Sequence, residues 1–179
     1  MRRLATGLAL LVVLAPAALA AGDEPLTRAK IEDVIETRIE TARLQNRMRA
    51  NADQYDSVLD AFFRKRARLL RERGWEPEEF DETHEYIYVV KSRMEQAPEL
   101  RDQKRKDLAD LERLRESGQL SEDKVDNMIR EVKKDYAEEE AKIERTKPHW
   151  PAVRACREEL EKLTDWVAGN GEPPPEPDC

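Results

Sequence analysis

The chain contains two histidines and two cysteines, and these are the first residues to consider for chemistry. His84 stands three residues after Asp81 and directly before Glu85, so a helix would place the imidazole and a carboxylate on one face. Zinc and related metals accept imidazole nitrogen and carboxylate oxygen as ligands. The spacing therefore allows a metal site of His84, Asp81 and Glu85. The sequence favours the alternative, a partly buried core histidine, because His84 also lies on an apolar stripe between Phe80 and Ile87.

A reversal of charge across one predicted turn is the second candidate for a functional site. Six basic residues close one helical pattern and six acidic residues open the next, with Gly74 between them. Such charges suit the backbone dipoles of the two helix ends by about 0.3–1 kcal/mol each, and in an antiparallel hairpin they neutralise one another. This favours a solvated turn over a site for anionic headgroups, polysaccharide or cations. If the surface does bind a partner, the predicted interaction residues are Arg66, Arg71, Arg73, Trp75 and Phe80.

Covalent and phosphate chemistry find little support in the sequence. The serines after residue 20 lack the flanking glycines of a nucleophile elbow, and the glycines there are explained by helix ends and turns. Paired carboxylates for glycoside hydrolysis would need a cleft, which narrow helical stripes do not predict. We therefore expect a protein that is not an enzyme and has no cofactor. A hydrolase built from distant carboxylates is the third hypothesis.

Residues 1–20 resemble a secretory signal peptide. Two arginines precede an apolar run, which closes on the small-x-small sequence Ala18-Leu19-Ala20. Pro16 and the high alanine content favour cleavage after Ala20 over a retained membrane anchor. This predicts a periplasmic or secreted mature protein of residues 21–179, with no transmembrane span.

Export bears on the two cysteines, Cys156 and Cys179. An even number of cysteines in an oxidising compartment favours a disulfide. A bridge within the chain would close a loop of about 22 residues and stabilise the fold by roughly 3 kcal/mol. Two alternatives remain open: Cys156 is an inert buried thiol on an apolar helix face, or Cys179 links two copies into a covalent homodimer.

Composition limits the fold and the partners. The chain carries 39 acidic and 32 basic residues, for a net charge of −7, and this balance argues against a nucleic-acid partner. Charged residues make up 40% and aromatic residues 6%, which is typical of long amphipathic helices with much solvated surface. The length predicts one helical domain over residues 21–171, followed by a flexible proline-rich tail over residues 172–179.

Apolar residues recur at helical spacing through the predicted domain, and no pair of strands is indicated. Residues 26–73 predict one long helix or two nearly collinear helices, with a kink near Thr41–Leu44 or a break around Asn51. The stripes often hold two apolar residues in seven, which favours coiled-coil-like packing. The fold class is therefore all-α, an elongated antiparallel bundle of about four to five amphipathic helices. The later helices are predicted to begin at Pro77, Pro98, Ser121 and the Pro148–Pro151 turn.

In export, size and charge richness the chain is similar to small helical chaperones and metal sensors of the bacterial envelope. The likeness is one of class, so it assigns no residue roles. We expect a non-enzymatic, exported interaction or chaperone-like protein, whose partner is an unknown protein or envelope component. The alternative is a metal-responsive periplasmic protein that uses His84.

Overall fold

A computed structural model describes residues 24–170, Pro177 and Cys179. The predicted signal peptide and most of the predicted proline-rich tail lie outside these residues. All regular secondary structure in the described part is helical, so the all-α prediction is confirmed. None of its helices is both long and apolar enough to cross a bilayer. The helices are α1 (Arg28–Ala50), α2 (Val58–Glu72), α3 (Pro77–Glu116), α4 (Glu122–Thr146), α5 (Trp150–Ala155) and α6 (Arg157–Val167).

The first two helices form an antiparallel pair. The predicted break at Asn51 is confirmed, but the predicted collinear arrangement is wrong, since α2 folds back along α1. Arg73, just beyond the end of α2, bonds Glu36 and Glu40 near the middle of α1. Polar side chains in the segment between α1 and α2 explain this reversal of chain direction. They form hydrogen bonds with nearby groups and so compete with helix formation. Ser57, for example, caps α2 by accepting a hydrogen bond from the Asp60 amide at 3.3 Å.

The turn from α2 to α3 is a glycine cap. Gly74 has a φ of +84°, a conformation that glycine adopts at little cost. Its amide donates to the Arg71 carbonyl at 3.0 Å, and the Trp75 amide donates to the Leu70 carbonyl at 2.9 Å. This pair of bonds defines a Schellman motif, so the predicted left-handed cap is confirmed.

Helix α3 continues through Pro98, so the predicted new helix at that residue is wrong. A proline inside a helix removes one backbone hydrogen bond and crowds the preceding turn, which usually ends or kinks the helix. Helix α4 packs along α3 and supports it on both sides of the proline. Arg93 donates to Glu139 at 2.8 Å before Pro98, and Lys104 donates to Glu140 at 2.7 Å after it. These ties hold 40 residues, about 60 Å, in one helix.

Most of the buried apolar residues in the described part of the chain form two separate clusters. The larger cluster joins α1, α2, α3, α5 and α6, and includes Ile35, Leu70, Ile87 and Leu160. The smaller cluster, built on Leu111, Val125 and Ile129, lies near the turn between α3 and α4. Between the two clusters, ion pairs and hydrogen bonds connect α3 and α4. The side chains of the candidate site lie at the larger cluster.

The two cysteines lie at disulfide distance within one chain. Their Cα atoms are 4.6 Å apart, and Cys156 is fully buried at the junction of α5 and α6. The Cys179 amide also donates to Glu32 Oε1 at 3.1 Å. The last residue is thereby held against both α1 and the larger cluster.

Candidate functional site

A groove lies where α1, α2, α3 and α6 meet, and we call it the Arg38–His84 groove. It consists of two concavities that share Arg38 and His84 as lining residues. The concavity on the α6 side has a volume of about 390 Å³ and is also lined by Tyr88, Leu163, Thr164 and Val167. The concavity on the α2 side has a volume of about 330 Å³ and is also lined by Gln45, Phe62, Phe63 and Asp81.

Helix α3 places His84 between two aromatic rings. Phe80 lies one turn before it and Tyr88 one turn after it, so all three side chains share one helix face. The ring centroids of Phe80 and His84 are 6.1 Å apart and their ring planes are nearly parallel. The ring centroids of His84 and Tyr88 are 5.1 Å apart. The structure thus shows the partly buried histidine that was the alternative to a metal ligand.

Burial keeps the His84 imidazole neutral. Desolvation is the main cause that lowers its pKa to about 4, with a contribution from the positive charges of Arg38 and Arg66, while Asp81 opposes them. A neutral imidazole contributes a polarisable side chain to the groove and adds no charge at physiological pH.

The predicted metal ligands do not converge. Arg66 donates two hydrogen bonds to the Asp81 carboxylate, one of them at 3.2 Å, and Glu85 is exposed. The other histidine, His149, accepts a hydrogen bond at Nδ1 from the Leu26 amide at 3.0 Å, so it serves the fold elsewhere. Within the described part of the chain, no three His, Cys, Asp or Glu side chains are grouped so that they could hold a metal ion.

Arg38 is the most unusual residue of the groove. Its side chain is partly buried, and it makes no hydrogen bond or ion pair with any described residue. The nearby Asp81 attracts it, but that carboxylate is already bound by Arg66. Burial lowers the pKa of the Arg38 guanidinium, and the repulsion from Arg66 adds to the effect. An arginine nevertheless stays protonated, so the groove has an uncompensated positive charge at its centre.

Sequence reasoning missed Arg38. A detectable signal was present, because α1 has a stripe of apolar residues at helical spacing and one arginine falls beside it. The stripe includes Ile31, Val34, Ile35 and Ile39, all of which are buried. A charged residue directly before Ile39 is expected to lie at the edge of that buried face. What the sequence did not indicate is that no acid of α1 or α3 pairs with it.

The five predicted interaction residues divide between the groove and the fold. Arg66 and Phe80 line the groove, although Phe80 is only 1% exposed. Trp75 is buried and its indole donates to Asp33 Oδ2 at 2.7 Å. Arg71 lies 3.5 Å from Glu76, and Arg73 binds carboxylates of α1. The opposite charges at the turn are thus mostly used in ion pairs within the chain.

Exposed apolar side chains stand at both ends of the groove. Phe63 is 54% exposed on the α2 side, and Val167 is 45% exposed on the α6 side. Leu59, one turn before Phe63, is 63% exposed but does not line either concavity. The groove therefore combines apolar ends with a charged centre, which is an arrangement suited to binding an amphipathic ligand.

Comparison with protein-family models, with curated proteins and with solved structures gives no match. What the groove can do chemically follows from its own side chains. Its lining contains no serine or cysteine, and the Thr164 hydroxyl is engaged by the Leu160 carbonyl at 2.8 Å and Tyr88 at 3.1 Å. Its charge and apolar walls can hold a ligand in place.

The low pKa of His84 leads to a direct prediction. We expect the His84 ring protons to titrate in NMR spectra with a midpoint near pH 4, because the groove excludes water from the imidazole. The unfolded chain binds this proton near its ordinary pKa of about 6.5. The stability that neutral His84 contributes is therefore complete above about pH 6.5 and is lost as the pH falls toward 4. The His84→Gln variant assigns the resonance, and a midpoint near 6.5 would contradict the burial argument.

Proposed function

We propose that this protein is a non-enzymatic interaction module that binds polypeptide segments in the Arg38–His84 groove. The observation that supports this most directly is the partly buried guanidinium of Arg38, which pairs with no acid among the described residues and lines two concavities that each contain apolar side chains. Burying an unpaired charge costs free energy, so a fold rarely keeps one without a use. A ligand that supplies the missing partner would recover that cost.

The setting of the module is part of the same proposal. We infer that residues 1–20 direct export, and that the mature protein is an elongated antiparallel bundle in the periplasm or outside the cell. Its partner would be an envelope protein or an unfolded client, since apolar segments exposed by unfolding suit the groove's apolar ends. The acidic net charge makes nucleic acid an unfavourable partner.

The test measures suppression of client aggregation. Light scattering monitors the aggregation of an added enzyme while it unfolds on heating. The double variant Phe63→Ser with Val167→Ser removes the apolar ends while leaving the core intact, since both side chains are about half exposed. We expect it to need about tenfold more protein for the same suppression, because truncating interface anchors commonly costs more than ~1 kcal/mol each.

The matched control is Leu59→Ser, which removes an exposed apolar side chain from the same helix but outside the groove. It should suppress aggregation as well as the wild-type protein. Equal losses in the control and the double variant would show that general surface hydrophobicity is responsible. The proposal fails if wild-type protein suppresses no aggregation and binds no peptide across a broad set of apolar sequences.

A further inference from the structure

We propose that the Arg38–His84 groove selects segments in which one side-chain carboxylate stands between two apolar side chains. This inference rests on the proposed function and names the chemistry of the partner. The carboxylate would pair with Arg38, and the apolar side chains would enter the concavities on the α2 and α6 sides. The partner is thus an amphipathic polypeptide with the order apolar, acidic, apolar.

The charge at the centre argues for an acid. Arg38 makes no ion pair with a described residue, whereas Arg66 is matched with Asp81. Around the point where the concavities meet there are two guanidinium groups and one carboxylate, so the local charge is positive. A guanidinium binds a carboxylate through two parallel hydrogen bonds, which are stronger and more directional than bonds between neutral groups.

The positions of the concavities argue for the flanking apolar groups. Arg38 and His84 belong to the lining of both, so the two concavities meet at these residues. On the α2 side the wall includes Phe62 and Phe63, whose ring centroids are 5.7 Å apart. On the α6 side it includes Leu163 and Val167. A bound acid would therefore have apolar side chains on both sides of it, with the polar groups of Gln45, Arg66 and Asp81 beside the two phenylalanines.

Two further groups restrict the ligand. His84 is held between Phe80 and Tyr88 and offers the bound segment an uncharged aromatic side chain. Asp81 lines the α2 side of the groove, and its side chain is 60% exposed. A second acidic group next to the first would meet this carboxylate and be repelled. One carboxylate, rather than an acidic run, is the expected requirement.

The experiment measures the binding of two fluorescent peptides by anisotropy, using the mature chain, residues 21–179. One peptide has a central aspartate between phenylalanine and leucine, with serine spacers and blocked ends. The other has asparagine at the centre and is otherwise identical. We expect the aspartate peptide to bind about tenfold more tightly, because a charged hydrogen bond is markedly stronger than a neutral one. Arg38→Gln should remove this preference and leave binding near that of the asparagine peptide.

Arg130→Gln is the matched control, since it removes one exposed positive charge from α4, outside the groove. It should keep the tenfold preference. Arg38→Lys retains a charge without the paired donors, so part of the preference should remain, which provides a second test if Arg38→Gln folds poorly. A peptide with a free terminal carboxylate in place of the central aspartate should bind more weakly than the aspartate peptide; tighter binding would overturn the side-chain assignment.

The outcomes separate this inference from the proposed function. Equal binding of the aspartate and asparagine peptides by wild-type protein would overturn the carboxylate requirement. The proposed function would still stand if that binding were lost in the double variant at Phe63 and Val167. Absence of binding by either peptide would overturn the inference, and the aggregation assay would then decide whether the proposed function fails with it.

Discussion

Replacing Phe80 with alanine is expected to lower the free energy of unfolding by about 3–5 kcal/mol. The ring is 1% exposed and lies edge-on to Trp75, with centroids 5.6 Å apart. It also stacks on His84 and carries the Arg66 guanidinium 5.7 Å from its centroid. Alanine would leave a cavity that the surrounding helices fill only partly, so both the lost burial and the cavity contribute. Urea unfolding followed by circular dichroism measures the change.

Phe63→Ala provides the matched control for this prediction. The same atoms are removed, but Phe63 is 54% exposed, so we expect a change within about 0.5 kcal/mol. The Phe80 variant should also raise the pKa of His84 from about 4 toward its ordinary value, because water would reach the imidazole. A Phe80→Ala protein as stable as Phe63→Ala would show that Phe80 is not part of the core.

Loss of the Cys156–Cys179 disulfide is expected to have the second largest effect on the stability of the fold. The pair closes a loop with a sequence separation of 23 residues, and the chain-entropy model gives such a bridge about 3 kcal/mol of stabilisation. Cys179→Ser is the cleaner variant, because Cys156 is fully buried and a polar replacement there would add its own cost. For a chain of this length, the expected fall in melting temperature is about 6–12 °C.

A reducing agent supplies the control for the cysteine prediction. It should lower the melting temperature of the wild-type protein to that of Cys179→Ser and leave the variant unchanged. Light scattering coupled to size-exclusion chromatography should give the same mass for the wild-type protein before and after reduction. A dimer that dissolves on reduction would instead show that Cys179 links two copies, and an unreduced protein no more stable than the variant would contradict the bridge.

Local signals in the sequence predicted the helix ends well. Gly74 needs a left-handed backbone, and Pro77 suits a first helical turn, so the α2–α3 turn follows from residue chemistry alone. The position of Ser121 before α4 is also confirmed, although its hydroxyl makes no capping bond. Pro98 was misjudged because its effect depends on α4, whose ties to Arg93 and Lys104 hold α3 together. Intrinsic preference sets a helix end only where tertiary contacts do not oppose it.

The sequence by itself determined the helical class, most helix ends and the apolar stripes, because these depend on neighbours within a few positions along the chain. Only the tertiary structure decided that α2 folds back on α1, and that Cys179 reaches Cys156. It also decided which charges are paired. Arg66 pairs with Asp81 fifteen residues away, whereas Arg38, which lines both concavities, forms no ion pair with any residue that the structure describes. Pairing depends on the distance between side chains in the folded chain, and residue spacing alone does not specify that distance.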